Sequence, residues 1–101
     1  MPKLFLVDSL FNALGDPTRV AIVEELAHRD SQSLFELCTR LISGRGLSMS
    51  RQAIAKHLAV MRDAGLIDVS SVGRTTVHTL NRDAARRAAG WLSALAEEEQ
   101  P

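Results

Sequence analysis

The fold is decided by the stretch LSMSRQAIAKHLAVMRDAGLI, which spans residues 47–67. Ser50 is a favourable helix N-cap, because its hydroxyl can accept a hydrogen bond from an N–H group of the first turn. Gly65 stands where the end of a helix needs a residue in the left-handed conformation. Between them Ile54, Leu58 and Met61 recur at i, i+4 and i+7, which puts three apolar side chains on one face. The stretch therefore predicts an amphipathic helix between Ser50 and Gly65.

The opposite face of this helix combines small residues with long hydrogen-bond donors. The small side chains let the backbone approach a partner, and the donors extend past them. These positions are Arg51, Gln52, Ala55, Lys56, Ala59 and Arg62. No Asp or Glu occurs from Leu37 to Arg62, so the helix lies in a local field of one sign. Such a helix suits insertion into a DNA major groove, although an ordinary solvated basic surface is the alternative interpretation.

The segment that follows Gly65 predicts a β-hairpin. Residues 66–80, LIDVSSVGRTTVHTL, are rich in β-branched side chains and contain a turn at Val72-Gly73-Arg74. Thr75, Val77 and Thr79 alternate with the period of a strand. A helix, a tight bend and a hairpin with a basic tip form the layout of a winged helix-turn-helix. The expected fold class is mainly α with a small β-hairpin, about five helices plus a two-stranded wing.

Four motifs follow one another along the chain in a characteristic order. They are GDPTR at residues 15–19, the run from Ser50 to Leu58, AGL at residues 64–66, and Gly73-Arg74. In this order and spacing the chain resembles the ArsR (arsenic-repressor-like) family of bacterial repressors, from about Phe11 to about Arg82. The resemblance implies a homodimeric transcriptional regulator, which we expect to repress by binding a two-fold symmetric operator in double-stranded DNA. Two alternatives use the same scaffold: a protein–protein interaction module and a thiol- or redox-responsive sensor.

The resemblance also implies which residues contact DNA. Ser50 matches the family's capping serine, and His57 matches a histidine that lies near the DNA backbone. Arg51 has the chemistry for a bidentate contact to guanine, and Gln52 for one to adenine. The remaining cations, including Arg74 on the wing, suit phosphates or the minor groove. The expected DNA-binding residues are Ser50, Arg51, Gln52, Ala55, Lys56, His57, Arg62 and Arg74.

The two terminal helices are expected to form a dimer surface. The first, about residues 4–14, is apolar on more than one face, and so small a domain has little to cover it. The last, about residues 82–98 and capped by Asn81, carries Ala and Leu at heptad-like spacing with a tryptophan beside them. A partner subunit is the natural cover. The expected interface residues are Leu4, Val7, Phe11, Ala85, Ala88, Trp91, Leu92 and Leu95.

Two further helices are expected between these elements. Asp16 caps the second, with Pro17 at its first position, and Ser31 or Ser33 caps the third. Arg19 is left with two roles, a phosphate contact or a pair with a nearby acid. Arg45, in a turn at residues 43–46, is left with a phosphate contact or simple solvation.

Length and charge limit the number of domains and the kinds of partner that the chain can have. A chain of 101 residues is one domain, residues 1–101, and is small enough that dimerisation would help its stability. Its formal net charge is zero, with 12 basic and 12 acidic residues, so only the distribution of charge supports DNA binding. The acids cluster at residues 24–25 and 97–99 while the middle of the chain is basic.

The residues argue against catalysis, cofactors and bound metal. His28, His57 and His78 are scattered on different elements, and there is no glycine-rich phosphate loop. The arsenic and cadmium sensors of the resembled family carry a Cys-x-Cys pair on the third helix, where this chain has Cys38 and Arg40. A cation there would repel a metal, and one thiolate is too few for tight binding. The family's other metal site needs a histidine on the last helix, which residues 82–98 lack.

Cys38 itself has two interpretations, an inert buried thiol or a sensor of oxidants, and its apolar helix face favours the first. A lone cysteine excludes an internal disulfide framework, which fits a reducing cytoplasm. No apolar run is long enough to cross a membrane, and the N-terminal apolar segment is too short for a signal peptide. We therefore expect a cytoplasmic protein with no membrane partner.

Overall fold

The computed structural model describes residues 2–98, and the side chains of residues 8–98. Within this range the chain forms five α-helices and three strands. They are α1 (Pro2–Leu14), α2 (Pro17–His28), β1 (Gln32–Ser33), α3 (Leu34–Cys38), α4 (Arg51–Asp63), β2 (Ile67–Val72), β3 (Thr75–Leu80) and α5 (Arg82–Ala96). A π-helical segment, Thr39–Gly44, continues α3 without a break. The expected fold class, mainly helical with a β-hairpin wing, is confirmed.

Side-chain caps explain where the helices begin. The N-cap residues of α2 to α5 are Asp16, Ser33, Ser50 and Asn81. Of the two serines proposed for α3, Ser33 is the cap, and it forms a capping box. Its hydroxyl accepts from the N–H of Glu36 at 3.1 Å, and the Glu36 carboxylate accepts from the N–H of Ser33 at 2.9 Å. The hydrogen bond from the Ser33 backbone is the main cause that lowers the pKa of Glu36.

The end of α4 is a Schellman motif, as the glycine at its C-terminus predicted. Gly65 has a φ of 78° and donates to the carbonyl of Arg62 at 2.9 Å. Leu66 donates to the carbonyl of Met61, also at 2.9 Å. These two hydrogen bonds satisfy carbonyls that the helix leaves unpaired. The chain thereby turns sharply from α4 into β2, which fixes the wing relative to the helix.

The sheet contains one strand more than expected. It is antiparallel with the order β1-β3-β2, and the short β1 pairs Gln32 with His78 and Ser33 with Val77. The central β3 is therefore flanked on both sides. This breaks the alternation predicted for β3, because Val77 and the adjacent His78 are both buried. The wing proper is the hairpin of β2 and β3, where Val72 pairs with Thr75 around Gly73, whose φ is 64°.

The core lies where α2, α3 and α4 meet the sheet. Its largest fully buried side chains are Ile22, Leu26, Gln32, Leu37, Leu41, Ile54, Met61 and Ile67. The spacing predicted for the third helix is confirmed at Leu37, Cys38 and Leu41, which are buried, and Leu34 and Ile42 pack at the edge. The α4 face predicted to be apolar is the face that enters this core.

Two predicted boundaries differ from the structure. The turn expected at residues 43–46 starts later, because the helical segment continues through Gly44 and the chain leaves it at Gly46, with a φ of 72°. The last helix ends at Ala96, where an acidic end opposes the helix dipole, with Glu97 as its C-cap. The radius of gyration is 15.0 Å, above the roughly 13 Å of a compact chain this long, so the chain is elongated. No helix within residues 2–98 is long and apolar enough to span a membrane.

Candidate nucleic-acid interface

Helix α4 is anchored so that one face must point away from the protein. The Ser50 hydroxyl accepts from the N–H of Ala53 at 3.1 Å and fixes the first turn. Ile54 and Met61 are fully buried and Leu58 nearly so. Because an α-helix turns about 100° per residue, Gln52 and Lys56 lie opposite this buried face. Both side chains are exposed, so they are the centre of the outward surface.

Three other expected DNA-binding residues lie on the flank of α4 that faces the wing. Ala55 and Arg62 line a cleft of about 170 Å³ between α4 and the hairpin, together with Val69 and His78. Arg51 lies at the first turn of the same flank, beside a depression lined by residues of α3 and its π-helical extension. All three are at least partly accessible, and Ala55 is the least exposed of them. The structure thus separates a central pair, Gln52 and Lys56, from this flanking set.

Cys38 borders the depression next to Arg51. The thiol is only 5% exposed. Burial raises its pKa, and the nearby charge of Arg51 only partly opposes that effect. A thiol held in its protonated form is a poor nucleophile and a poor metal ligand. Within residues 8–98, no three His, Cys, Asp or Glu side chains are grouped as a metal site would need.

His57 lies on the other flank of α4, which faces α2. Its Nδ1 atom is 3.1 Å from Nη1 of Arg19, and Nε of Arg19 donates to the carbonyl of Ala13. Arg19 therefore contacts a histidine and a carbonyl, a role that neither interpretation of the sequence included. This contact joins α4 to the α1–α2 corner, and no local pattern signals it because the two residues are 38 positions apart.

Asp16 is the N-cap of α2 and lies three residues before Arg19. Desolvation acts to raise the pKa of this carboxyl, but the net shift is downward. Its hydrogen bonds from the N–H groups of Arg19 and Thr18, at 3.3 and 2.8 Å, outweigh desolvation. The charge of Arg19 acts in the same direction. Asp16 is thus held as a carboxylate near the middle of α4.

Arg74 lies at the tip of the wing, in the two-residue turn with Gly73, and is exposed. Arg45, after the π-helical segment, is engaged elsewhere. It pairs with Glu24 at 2.8 Å and with Glu25 at 3.2 Å, so it is not simply solvated, and these acids would compete with a phosphate for it. Of these two loop cations, Arg45 is therefore paired with the acids of α2, while Arg74 is exposed at the wing tip.

The residues expected at the dimer surface divide into two groups. Phe11 and Trp91 make a tilted aromatic contact within the chain, with ring centroids 5.7 Å apart and an interplanar angle of 53°, and Ala88 is buried on α5. Ala85 is exposed, and Leu92 and Leu95 are 49% and 46% exposed. The side chains of Leu4 and Val7 lie outside the described residues. The stripe on α5 thus packs on α1 at one edge and remains uncovered at the other. Sequence reasoning missed Ala84, which is buried one helical turn before Ala88.

A capped helix with an outward polar face, followed by a hairpin with a basic tip, defines the winged helix-turn-helix class. Comparison with known proteins agrees: the family model of the helix-turn-helix domain matches residues 14–70. The HTH-type transcriptional regulator YuzN of Bacillus subtilis (strain 168) is 44% identical over 86 residues, covering 84% of this chain and 94% of YuzN. The chain belongs to the ArsR-like winged helix-turn-helix transcriptional regulators.

Two solved structures illustrate the likeness. An ArsR-like transcriptional regulator from Rhodococcus sp. RHA1 superposes with a TM-score of 0.80 at 34% identity, covering 95% of this chain and 84% of that one. A homodimeric winged helix-turn-helix DNA-binding domain from Mycobacterium bovis, a possible ArsR-family regulator, has a TM-score of 0.70 at 20% identity. The match covers 93% of this chain and 82% of the Mycobacterium bovis chain. At this identity the second structure supports the fold alone.

Proposed function

We propose that this transcriptional regulator acts as a homodimer on a two-fold symmetric DNA operator and represses transcription there. The observation that carries the proposal is the outward face of α4, where Gln52 and Lys56 stand opposite a fully buried anchor. In helix-turn-helix proteins such a helix enters the major groove with its N-terminal residues against the base edges. A bacterial operator lies on the chromosome, so the proposal also assigns the protein to the cytoplasm.

The proposed contacts divide by chemistry. Gln52 presents an amide that can bond adenine in the major groove, and Arg51 a guanidinium that can bond guanine. Lys56 and Arg62 extend from α4 toward phosphates on either side of the groove. Arg74, at the wing tip, is the proposed contact to the neighbouring backbone or minor groove. Ser50, Ala55 and His57 complete the proposed surface as cap, close-approach position and backbone contact.

The proposed dimer rests on the uncovered edge of α5. Leu92 and Leu95 are about half exposed, and Ala85 beside them would allow a second helix to approach closely. Together with the apolar α1, this edge is the proposed dimer surface of a single domain. The Mycobacterium bovis domain that shares this fold is a homodimer. Two subunits related by a two-fold axis would need half-sites about one helical turn of DNA apart, or a multiple of it.

A protein–protein interaction module is the second candidate, and one observation favours it. Val72 is 65% exposed and Val69 is 38% exposed, so the wing carries apolar surface that DNA does not need. Winged helices also serve as interaction modules. The absence of acids from Leu37 to Arg62 favours a negatively charged partner such as DNA. Charge alone does not distinguish DNA from a protein with an acidic surface, so the two functions are separated by experiment.

Selection of bound fragments from genomic DNA, followed by mobility-shift assays on the recovered sequences, tests the proposal. We expect fragments with inverted repeats, retained at a salt concentration that releases random duplex. Transcription in vitro from a recovered promoter should fall as the protein is added, which distinguishes a repressor from an activator. Recovery of no sequence above random duplex would exclude operator binding and leave the interaction module as the better explanation.

A further inference from the structure

Arg19 joins three parts of the fold around one guanidinium. Its Nε donates to the carbonyl of Ala13 at the end of α1, and its Nη1 lies 3.1 Å from Nδ1 of His57 on α4. The carboxylate of Asp16 lies near enough for its charge to interact with that of Arg19. Arg19 is itself half-buried, so its position is restricted by packing as well as by these hydrogen bonds.

The chemistry of the two groups determines where the proton of His57 lies. A guanidinium has only N–H donors and no acceptor. In the hydrogen bond to Arg19, Nδ1 of His57 must therefore be the acceptor and carries no proton. A neutral imidazole has a single N–H group, which then lies on Nε2. The contact with Arg19 thus selects one of the two tautomers of His57.

The remaining ring nitrogen is directed to the surface. Within residues 8–98, Nε2 of His57 has no hydrogen-bond partner, and the buried polar side-chain atoms that lack one are limited to Oε1 of Gln32. Nε2 is therefore at least partly accessible to solvent. It lies on the flank of α4 next to the outward-facing Lys56. A group that reaches solvent beside the centre of this face is in position to meet a phosphate.

We propose that Arg19 is a positioning residue for DNA binding, which holds His57 in the tautomer that offers Nε2–H to a DNA phosphate. The inference rests on the proposed DNA-binding function. In the other tautomer Nε2 would present its lone pair to the phosphate oxygens and repel them. Arg19 thereby decides whether the same imidazole attracts or repels the backbone, without itself touching DNA.

The tautomer is measured in the full-length protein without DNA, by nitrogen-detected NMR of the His57 ring at mildly alkaline pH. We expect the protonated nitrogen to be Nε2 in the wild type. Arg19→Met removes the donor but keeps the aliphatic stem, and it should give a mixture of both tautomers. Arg87→Met is the matched control, since it removes the same charge from an exposed pair with Asp83 on α5 and should leave His57 unchanged.

DNA affinity gives the second readout, on a mixed-sequence duplex because a phosphate contact does not depend on sequence. His57→Ala should weaken binding by the loss of one phosphate hydrogen bond in each subunit, and it should leave the salt slope nearly unchanged because a neutral imidazole neutralises no phosphate charge. His57→Gln places an amide N–H near the position of Nε2 and should retain most of the affinity. Arg19→Met should weaken binding about two-fold per subunit, if half of His57 then adopts the wrong tautomer. The Arg19→Met change should have no further effect in the His57→Gln protein, whose amide has no tautomers.

The outcomes separate this inference from the function on which it rests. A wild-type His57 protonated on Nδ1, or equally on both nitrogens, overturns the inference even if the Arg19 variant does not fold. An affinity that His57→Ala leaves unchanged, with Lys56→Ala clearly weaker, also overturns it and leaves DNA binding intact. If the wild type binds no duplex at all, the proposed function fails, and the phosphate contact fails with it.

Discussion

Nη1 of Arg45 donates to Oε1 of Glu24 at 2.8 Å, and Nη2 donates to Glu25 at 3.2 Å. These bonds hold the connection between the two helices of the helix-turn-helix motif against α2. The hydrogen bond to Glu24 is the main cause that raises the pKa of Arg45, although this group is charged at any ordinary pH. The loop before α4 is therefore held by ion pairs to α2, the helix that packs against α4.

Arg45→Ala should reduce the free energy of unfolding by less than about 1 kcal/mol, because exposed ion pairs contribute little. The loss should shrink at high salt, which screens such pairs. Urea denaturation at low and high salt measures both effects, with Arg87→Ala as the control for an exposed pair of helical spacing. The salt slope of DNA binding should stay unchanged, since Glu24 and Glu25 already occupy this guanidinium. A fall of about one in that slope per subunit would show that Arg45 leaves the acids for a phosphate.

The Asp16 cap predicts a pH-dependent stability. Because the folded pKa of this carboxyl lies below its ordinary value, its stabilising charge is fully present above the unfolded pKa and is lost as the pH falls through the folded pKa. Asp16→Ala should cost about 0.5–2 kcal/mol at neutral pH, as for other helix caps that are removed. That cost should decrease as the pH falls below about 4.

Thermal or urea unfolding of both proteins across this acidic range measures the Asp16 effect. Asn81→Ala is the control, because Asn81 caps α5 with a side chain that does not ionise and accepts from Ala84 at 3.0 Å. Its cost should not vary with pH. A cost of Asp16→Ala that is the same in acid as at neutral pH would mean that the charge contributes nothing beyond the cap.

Cys38 should behave as a structural thiol. At neutral pH its alkylation in the native protein should be much slower than that of the urea-unfolded chain, since burial raises its pKa and restricts access. Cys38→Ser should cost about 1–3 kcal/mol of stability by burying a hydroxyl without an assured partner, and Cys38→Ala should cost less. DNA affinity per folded molecule should change little for either. Rapid native alkylation that also abolishes DNA binding would instead support the thiol-sensor alternative.

The predicted helix starts and the α4 core face came from short-range chemistry, which a sequence shows directly. Asp16, Ser50, Gly65 and Asn81 act within their own helix ends, so each could be identified from its neighbours alone. The outward face of α4 followed from the same periodicity, once Ile54 was assigned to the core. These features explain why the winged helix-turn-helix could be recognised from the amino-acid sequence alone.

The features that were missed depend on contacts between distant residues. β1 has only two residues and exists because β3 provides pairing partners some 46 positions away, as for Gln32 and His78. The Gln32 side chain also donates to the carbonyls of Glu25 and Arg29 at the end of α2, which no local pattern encodes. The partners of Arg19 and Arg45 are tertiary in the same way. A single sequence shows which cations exist, but not which of them the fold has already paired.

The dimer proposal predicts that changes on the two edges of α5 differ in effect. Leu92→Arg puts a charge on the exposed edge, so it should raise the dimer dissociation constant while a folded subunit remains. Light scattering over a dilution series, with circular dichroism at each concentration, distinguishes dissociation from unfolding. Ser93→Arg, an exposed position about 100° further round the helix, is the control and should stay dimeric. A wild type that is a well-folded monomer at micromolar concentration would exclude the proposed dimer.

The outward face of α4 and the wing tip should differ in what they recognise. Gln52→Ala should cost roughly 1–3 kcal/mol per half-site on the operator and relax base preference at one position, and Arg51→Ala should do the same at another. Arg74→Ala should weaken operator and random duplex alike and lower the salt slope by about one for each phosphate that the wing no longer neutralises. Affinities for both duplexes across a salt series measure these effects, with Arg87→Ala as the control for removal of a charge on α5. If neither Gln52→Ala nor Arg51→Ala alters operator preference, α4 does not lie in the groove as proposed, and the specificity must come from another element.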